Sequence, residues 1–309
     1  MIPFPDISWI ALLPLLLVSG CGLLMLGAGL FIDDGEVLGW GAMTGLVVTL
    51  ITTATLIGQR ISTLHHTFAL DGYAIFFDLL ILGVGVLVVL MSMNYLDETD
   101  IGAGEYYALV LFALAGMMVM TSATDLIVIF LGLEIMSISV YVLAGAWRTQ
   151  LRSNEASMKY FLLGAFATGF LLYGIALVYG ATGATRLDLI AAKVAVPLDR
   201  PLLLAGVAML LVAFGFKVAA VPFHMWTPDV YEGAPTSVTA LMAVAVKSAA
   251  FAAFARVFLH ALAGLQTDWS ELLWVLAVVT MTTGNVLALA QRNIKRMLAY
   301  SSIAHAGYI

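Results

Sequence analysis

The chain has 309 residues, of which 62% are hydrophobic and 10% charged, and its mean hydropathy is +1.05. Ordinary soluble domains carry about 25% charged residues, so this composition excludes a water-soluble fold. A net charge of −6 leaves no basic face for nucleic acid, and the single cysteine, Cys21, excludes a disulfide framework or a CxxC metal or redox motif.

Apolar runs of about 20 residues follow one another along the chain, the length a helix needs to cross a bilayer. Backbone groups in hydrocarbon must be paired within the segment, and no stretch alternates with the period of two that a membrane barrel requires. The sequence therefore reads as an all-α polytopic membrane protein with nine complete spans. They fall at about 8–31, 37–58, 72–94, 105–121, 124–146, 155–180, 201–222, 236–260 and 270–290, and a tenth opens near Met297. The start, MIPFPDISW, lacks the basic region of a cleaved signal peptide, so the first helix is expected to stay. The loops Asp33–Glu36, Gln59–His66, Asn94–Gly104 and Arg148–Asn154 are short and polar. The longest connection is Ala181–Arg200, and its Leu187–Val194 stretch is expected to lie along the interface. Basic residues divide almost evenly between the two sides, with Arg148, Arg152, Arg292, Lys295 and Arg296 giving a narrow preference for an N-terminus outside. The sequence stops at Ile309 in mid-run without a cap, which suggests that it continues in nature.

The chemistry concentrates between Phe214 and Lys247. Lys217 lies deep in the seventh span, and Pro222, five residues on, lacks an N–H and crowds the Val218 carbonyl, so the helix should open just past the ammonium. Interrupted helices of this kind mark ion sites in transporters, and a desolvated lysine becomes able to exchange a proton. The bland alternative is a lysine that snorkels to the interface. Lys247 lies about 11 residues into the eighth span, roughly 16–18 Å along a helix that crosses about 30 Å of hydrocarbon, too deep for easy snorkelling. A charge at such depth costs about 2.5–3.5 kcal/mol on insertion scales.

Glu134, in IFLGLEIMSISVYVL, is the acidic counterpart, able to tune the proton affinity of Lys217 by moving towards or away from it, or else a neutral acid bonded between helices. His224 in PFHMW either extends a proton wire past the break or satisfies a freed carbonyl. His305 is expected to be buried in the tenth span, continuing the polar line or making a packing hydrogen bond. Thr227-Pro228-Asp229 reads as an N-cap with proline at the first helical position, opening a short helix that ends near Gly233. Asp78 and Asp125 are expected at the interfaces, Glu155 and Lys159 as a structural pair four residues apart, and His65-His66 as a loop without metal spacing. Gly164 with Thr168, and Ala165 with Gly169, are small-residue pairs suited to close helix contact.

Three stretches carry a family likeness: KVAAVPFHMWTPDVYEGAPTSVTALMAVAVKSAAFAAFARVF, NEASMKYFLLGAFATGFLLYGIALVYGATGATRLD and RNIKRMLAYSSIAHAGYI. They resemble the NADH-quinone oxidoreductase subunit N family, the antiporter-like membrane subunits of bacterial complex I. Relatives among the L and M subunits and Mrp-type antiporters share the PFHxW region but usually carry histidine where Lys247 stands. The resemblance implies a fourteen-helix fold with two inverted five-helix repeats. On that scheme residues 1–104 form an N-terminal three-helix segment, 105–260 the first repeat and 261–309 the start of a second. It also implies a proton relay of Glu134, Lys217 and Lys247, with His305 extending it, and no metal or cofactor bound by this chain; His224 joins that relay only on the proton-wire reading given above. FMN, iron–sulfur clusters, NADH and quinone would belong to partner subunits, and M-, K-, J- and L-like membrane subunits would be neighbours in the bacterial inner membrane. Ser237 departs from the family, which commonly has proline there. The alternatives are an Mrp-type cation/proton antiporter subunit and a structural membrane subunit that moves no proton.

Overall fold

A computed structural model describes residues 6–97, 99 and 101–309. The first five residues of MIPFPDISW and two positions of the Asn94–Gly104 loop lie outside the described residues. The elements in chain order are α1 (Trp9–Ala28), α2 (Gly35–Thr55), β1 (Ile61–Thr63), β2 (Phe68–Leu70), α3 (Gly72–Asp97), α4 (Ala103–Ser122), α5 (Leu126–Ala144), α6 (Leu151–Thr182) and α7 (Leu187–Lys193). They continue with α8 (Arg200–Val218), α9 (Trp226–Gly233), α10 (Thr236–Leu241), α11 (Lys247–Ala255), α12 (Gln266–Leu289) and α13 (Ile294–Tyr308). A π-helical turn, Met242–Val246, joins α10 to α11, and a second, Arg256–Ala261, follows α11, so Thr236–Ala261 forms one continuous span. Among the described residues nine helical segments are long and apolar enough to cross a membrane, and they are the nine read from the sequence.

Helix starts follow local capping chemistry. Asp34, Asp125, Asp199 and Asn293 each accept backbone N–H groups from the first turn of α2, α5, α8 and α13. Gly183, at φ +65°, closes α6 in the left-handed conformation. Asn293 therefore starts the last helix at Ile294 and not near Met297. Asp125 sits at a span end as expected. Asp78, on the second turn of α3, is also near a span end, but it is enclosed by protein, where a threonine from α4 bonds it.

The stretch expected to be loop around His65-His66 is an antiparallel hairpin, with Ile61 opposite Leu70 and Thr63 opposite Phe68. Three-residue strands are too short for alternation to reveal. Leu64, His65 and His66 all take positive φ at its turn. The hairpin clips one end of the bundle: Thr124 N–H donates to Thr67 O and the Thr124 hydroxyl to His66 O (2.8 Å).

The core is built on α4, which packs against α1, α3, α5 and α11. Its approach to α5 is backbone to backbone. A Cβ on Gly116 would lie 2.4 Å from Met136 N and 2.8 Å from Gly132 O, and one on Gly132 would meet Gly116 O at 2.9 Å. This crossing sets the face that α5 turns to α6 and α8. Gly116→Ala should therefore destabilise the fold by about 1–3 kcal/mol, the usual cost of overpacking. Thermal unfolding in detergent measures this, with Gly169→Ala as the silent control, since a Cβ on Gly169 meets no atom within 4 Å.

Candidate functional site

The seventh span breaks one residue past Lys217, where Pro222 had suggested it would. α8 ends at Val218, and Ala219 takes the left-handed conformation at φ +63°. For a residue with a Cβ that conformation costs about 1–2 kcal/mol. Two carbonyls of the last turn are satisfied by protein: Ala220 N–H donates to Gly215 O (2.8 Å), and Ala219 N–H (3.1 Å) and the Trp226 indole N–H (3.1 Å) both donate to Phe216 O. Within the break, Val221 N–H donates to the buried Thr280 hydroxyl (2.9 Å). α9 then begins at Trp226, so Thr227 lies inside its first turn and is not the N-cap expected for it.

Lys217 is 2% exposed. Its Nζ donates to Ser137 Oγ (2.7 Å) and Tyr141 Oη (3.2 Å), while the Ser137 hydroxyl in turn donates to the Leu133 carbonyl. The rings of Tyr141, Tyr160 and Phe216 surround the ammonium at 5.3, 5.8 and 6.0 Å, close enough for cation–π attraction. Glu134 lies on the same α5 face, one and two turns before Ser137 and Tyr141, at positions i, i+3 and i+7. Its carboxylate accepts from Thr168 Oγ1 of α6 (2.8 Å) and makes no ion pair with Lys217 among the described residues. Glu134 thus shares an α5 face with the two residues whose hydroxyl groups hold the Lys217 ammonium.

Lys247 is 7% exposed and opens α11 directly after the π turn Met242–Val246. Such turns insert a residue into the helix and recur at functional sites. Its Nζ donates to both Ser302 O (2.7 Å) and Ser302 Oγ (2.8 Å) on α13. Between the two lysines lies a line of aromatic side chains. Tyr160 stacks on Trp226 at 4.4 Å, Trp226 meets Tyr231 edge-on at 6.0 Å, and the Tyr231 hydroxyl lies beside Ser302.

The two histidines fall outside this line. His224 is half-buried in the turn after the break, and no hydrogen bond joins it to either lysine. His305 is exposed, contrary to its expected burial, with Nδ1 folded back onto the Ser301 carbonyl at 2.7 Å. The face of α13 carrying Ala299, Ile303, Ala304 and Gly307 is the one packed inward, and His305 falls off it.

Ionic contacts hold α9 in place. Asp229 accepts from Lys159 (2.7 Å) and Arg296 (2.6 Å), Glu232 accepts from Arg296 (2.9 Å), and Lys159 also pairs with Glu155 (2.6 Å), as expected from their spacing. This network ties the helix after the break to α6 and α13. Among the described residues no three His, Cys, Asp or Glu side chains converge to hold a metal ion.

Sequence reading missed Ser137, Tyr141, Thr168 and Ser302 as the partners that fix the lysines and Glu134, and Tyr231 beside Ser302. Only the i, i+3, i+7 stripe on α5 signalled two of them. Gly164 meets its small-residue expectation in a specific way: a Cβ there would lie 2.0 Å from Tyr141 Oη. Ala165 and Gly169 face outward instead. Gly164→Ala should displace the Tyr141 ring from Lys217 and destabilise the protein by about 1–3 kcal/mol. Adding Tyr141→Phe should recover part of that loss in the same thermal unfolding measurement.

Residues 123–309 match the family described as NADH:quinone oxidoreductase/Mrp antiporter, transmembrane. The chain is 50% identical over 309 residues to NADH-quinone oxidoreductase subunit N of Trichlorobacter lovleyi, covering 99% of this chain and 63% of the relative. It is 46% identical over 312 residues to subunit N 1 of Herpetosiphon aurantiacus, with the same two coverages. The fold is similar to a chain of respiratory complex I from Thermus thermophilus with bound aureothin, at TM-score 0.82 and 38% identity over 96% of this chain and 62% of that one. It is also similar to a chain of the archaeal membrane-bound sulfane sulfur reductase, at TM-score 0.85 and 25% identity over 97% of this chain and 63% of that one. The chain thus spans less than two thirds of the length of the relatives it matches. With its interrupted seventh span and two enclosed lysines, it belongs to the NADH:quinone oxidoreductase/Mrp antiporter transmembrane family.

Proposed function

We propose that this chain is the proton-translocating membrane part of an NADH:quinone oxidoreductase subunit of the N type. One observation carries the reading: two lysines in apolar spans are enclosed by protein and bonded to neutral oxygen groups, with no carboxylate paired to either among the described residues. An ammonium locked to a carboxylate would be held charged. One held by hydroxyls and a carbonyl gives up a proton at smaller cost. Electron-transfer energy from NADH oxidation and quinone reduction would enter through partner subunits, which hold the redox groups, and would shift charge near Glu134.

In this scheme a change at Glu134 is felt at Lys217 through the α5 face that carries Ser137 and Tyr141. Lys217 loses a proton, its N–H bond breaking as the ammonium becomes an amine, and Lys247 takes one up. The aromatic line and Ser302 place the second lysine next in the series, and His224 and His305 are secondary members on its flanks. Residues 105–260 would act as the first antiporter-like repeat, behind an N-terminal segment 1–104, with 261–309 opening the second. M-, K-, J- and L-like subunits in the bacterial inner membrane are the expected neighbours.

Lys217→Ala and Lys247→Ala should each lower NADH-driven proton pumping at least tenfold while leaving assembly intact, a barrier change of about 1.4 kcal/mol or more. Pumping and quinone reduction measured together in membrane vesicles decide among the readings. Unchanged pumping in both variants would leave a structural subunit. Proton flux that persists in wild-type vesicles without NADH would indicate an antiporter.

A further inference from the structure

Asp78 lies away from the two lysines and has no part in the scheme above. It is 2% exposed, on the second turn of α3, between apolar residues 74–77 and 79–82. Its carboxyl group makes one hydrogen-bonding contact among the described residues, at 2.6 Å between Oδ1 and Thr121 Oγ1. The same Thr121 oxygen lies 2.9 Å from the Met118 carbonyl. A threonine hydroxyl has one proton to donate, and a carbonyl has none. Both contacts are hydrogen bonds only if Thr121 donates to Met118 and the acid donates to Thr121. The opposite assignment leaves two lone-pair oxygens 2.9 Å apart, beside a buried charge with a single partner.

The nearest cation is engaged elsewhere. Arg256 directs Nη1 and Nη2 to Asp71 (3.0 and 2.7 Å) and Nε to the Thr121 carbonyl (2.8 Å), with its guanidinium 4.7 Å from the Tyr73 ring centroid. Burial alone would raise the Asp71 carboxyl, but its hydrogen bonds from Arg256 and from Ala74 N–H hold it below the usual carboxylate range, so it stays charged. Arg256, Asp71 and Tyr73 are the charged or titratable groups around Asp78. α4 presents Thr121, and α2 carries only Glu36, at its far end. Thr121 therefore joins an acid on its hydroxyl to a guanidinium on its carbonyl, and Arg256 is one bond pattern away from changing partner.

We propose that Asp78 is a proton-binding site, a neutral carboxylic acid that releases its proton when Arg256 turns from Asp71 towards it. The O–H bond breaks, the proton passes by Thr121 to water reached past the part-exposed Asp71, and the guanidinium balances the carboxylate left behind. Reprotonation returns Arg256 to Asp71. This rests on the proton-translocating reading and adds a second exchange point at the hairpin end of the bundle.

The test is infrared spectroscopy and proton pumping on the assembled complex in membranes, comparing wild type with Asp78→Asn, whose amide keeps the shape and donates to Thr121. At neutral pH the wild type should show the carbonyl stretch of a protonated carboxylic acid that Asp78→Asn lacks, and this band should diminish during NADH-driven turnover. Asp78→Asn should retain quinone reduction but lose proton output several-fold. A band unchanged by the substitution, or equal pumping in the two proteins, would overturn the inference alone. A wild type that pumps no protons would overturn the functional reading and the exchange step with it.

Discussion

The hydrogen bond from Lys217 to Ser137 is the interaction on which the rest of the site depends. It places a full charge inside protein, 2% exposed, and gives it two hydroxyl oxygens and a ring of aromatic faces in place of water. Such a charge is tolerable only while those partners hold position. Each is fixed from behind: Ser137 by the Leu133 carbonyl, Tyr141 by the space left at Gly164, and α5 itself by the glycine crossing with α4. The aromatic shell is anchored in turn by Trp226, which also satisfies the Phe216 carbonyl at the break. Stability and chemistry meet in the same few contacts.

Breaking a helix beside a buried cation creates a second demand. The last turn of α8 frees carbonyls that hydrocarbon would not forgive, and those of Gly215 and Phe216 are met by backbone and side-chain donors from the protein. α9 must then be held close, and it is held from outside the apolar core by Lys159, Arg296 and their carboxylate partners. The arrangement sets α13 against both the ionic network and Lys247, through Arg296 at one end and Ser302 further along. A shift of α9 relative to α13 would therefore be felt at the second lysine.

Much of this was legible in the sequence. Nine spans followed from hydrophobic run length alone, and the cost of a charge in lipid singled out Glu134, Lys217 and Lys247. The Glu155–Lys159 pair followed from helical spacing. What remained hidden was whatever depends on a partner distant in the chain. Ser302 is 55 residues from Lys247 and Ser137 is 80 from Lys217, and a serine in an apolar run has no signature of its own. The hairpin at Ile61–Leu70 was too short to show its period, and His305 looked buried because rotation about the α13 axis is set by packing, not by composition. Asp78 was read as interfacial from its place near a span end, whereas its environment is set by Thr121, another helix's residue.

The central claim is that Lys217 and Lys247 alternate between ammonium and amine as the complex works. The most direct measurement is solid-state nitrogen magnetic resonance of labelled lysine side chains in membranes, with the two signals assigned by their loss in Lys217→Arg and Lys247→Arg. When NADH-driven turnover begins, the Lys217 resonance should move from the ammonium towards the amine position and the Lys247 resonance towards the ammonium position, and both should return when it stops. Two signals that keep their positions through turnover would contradict the claim.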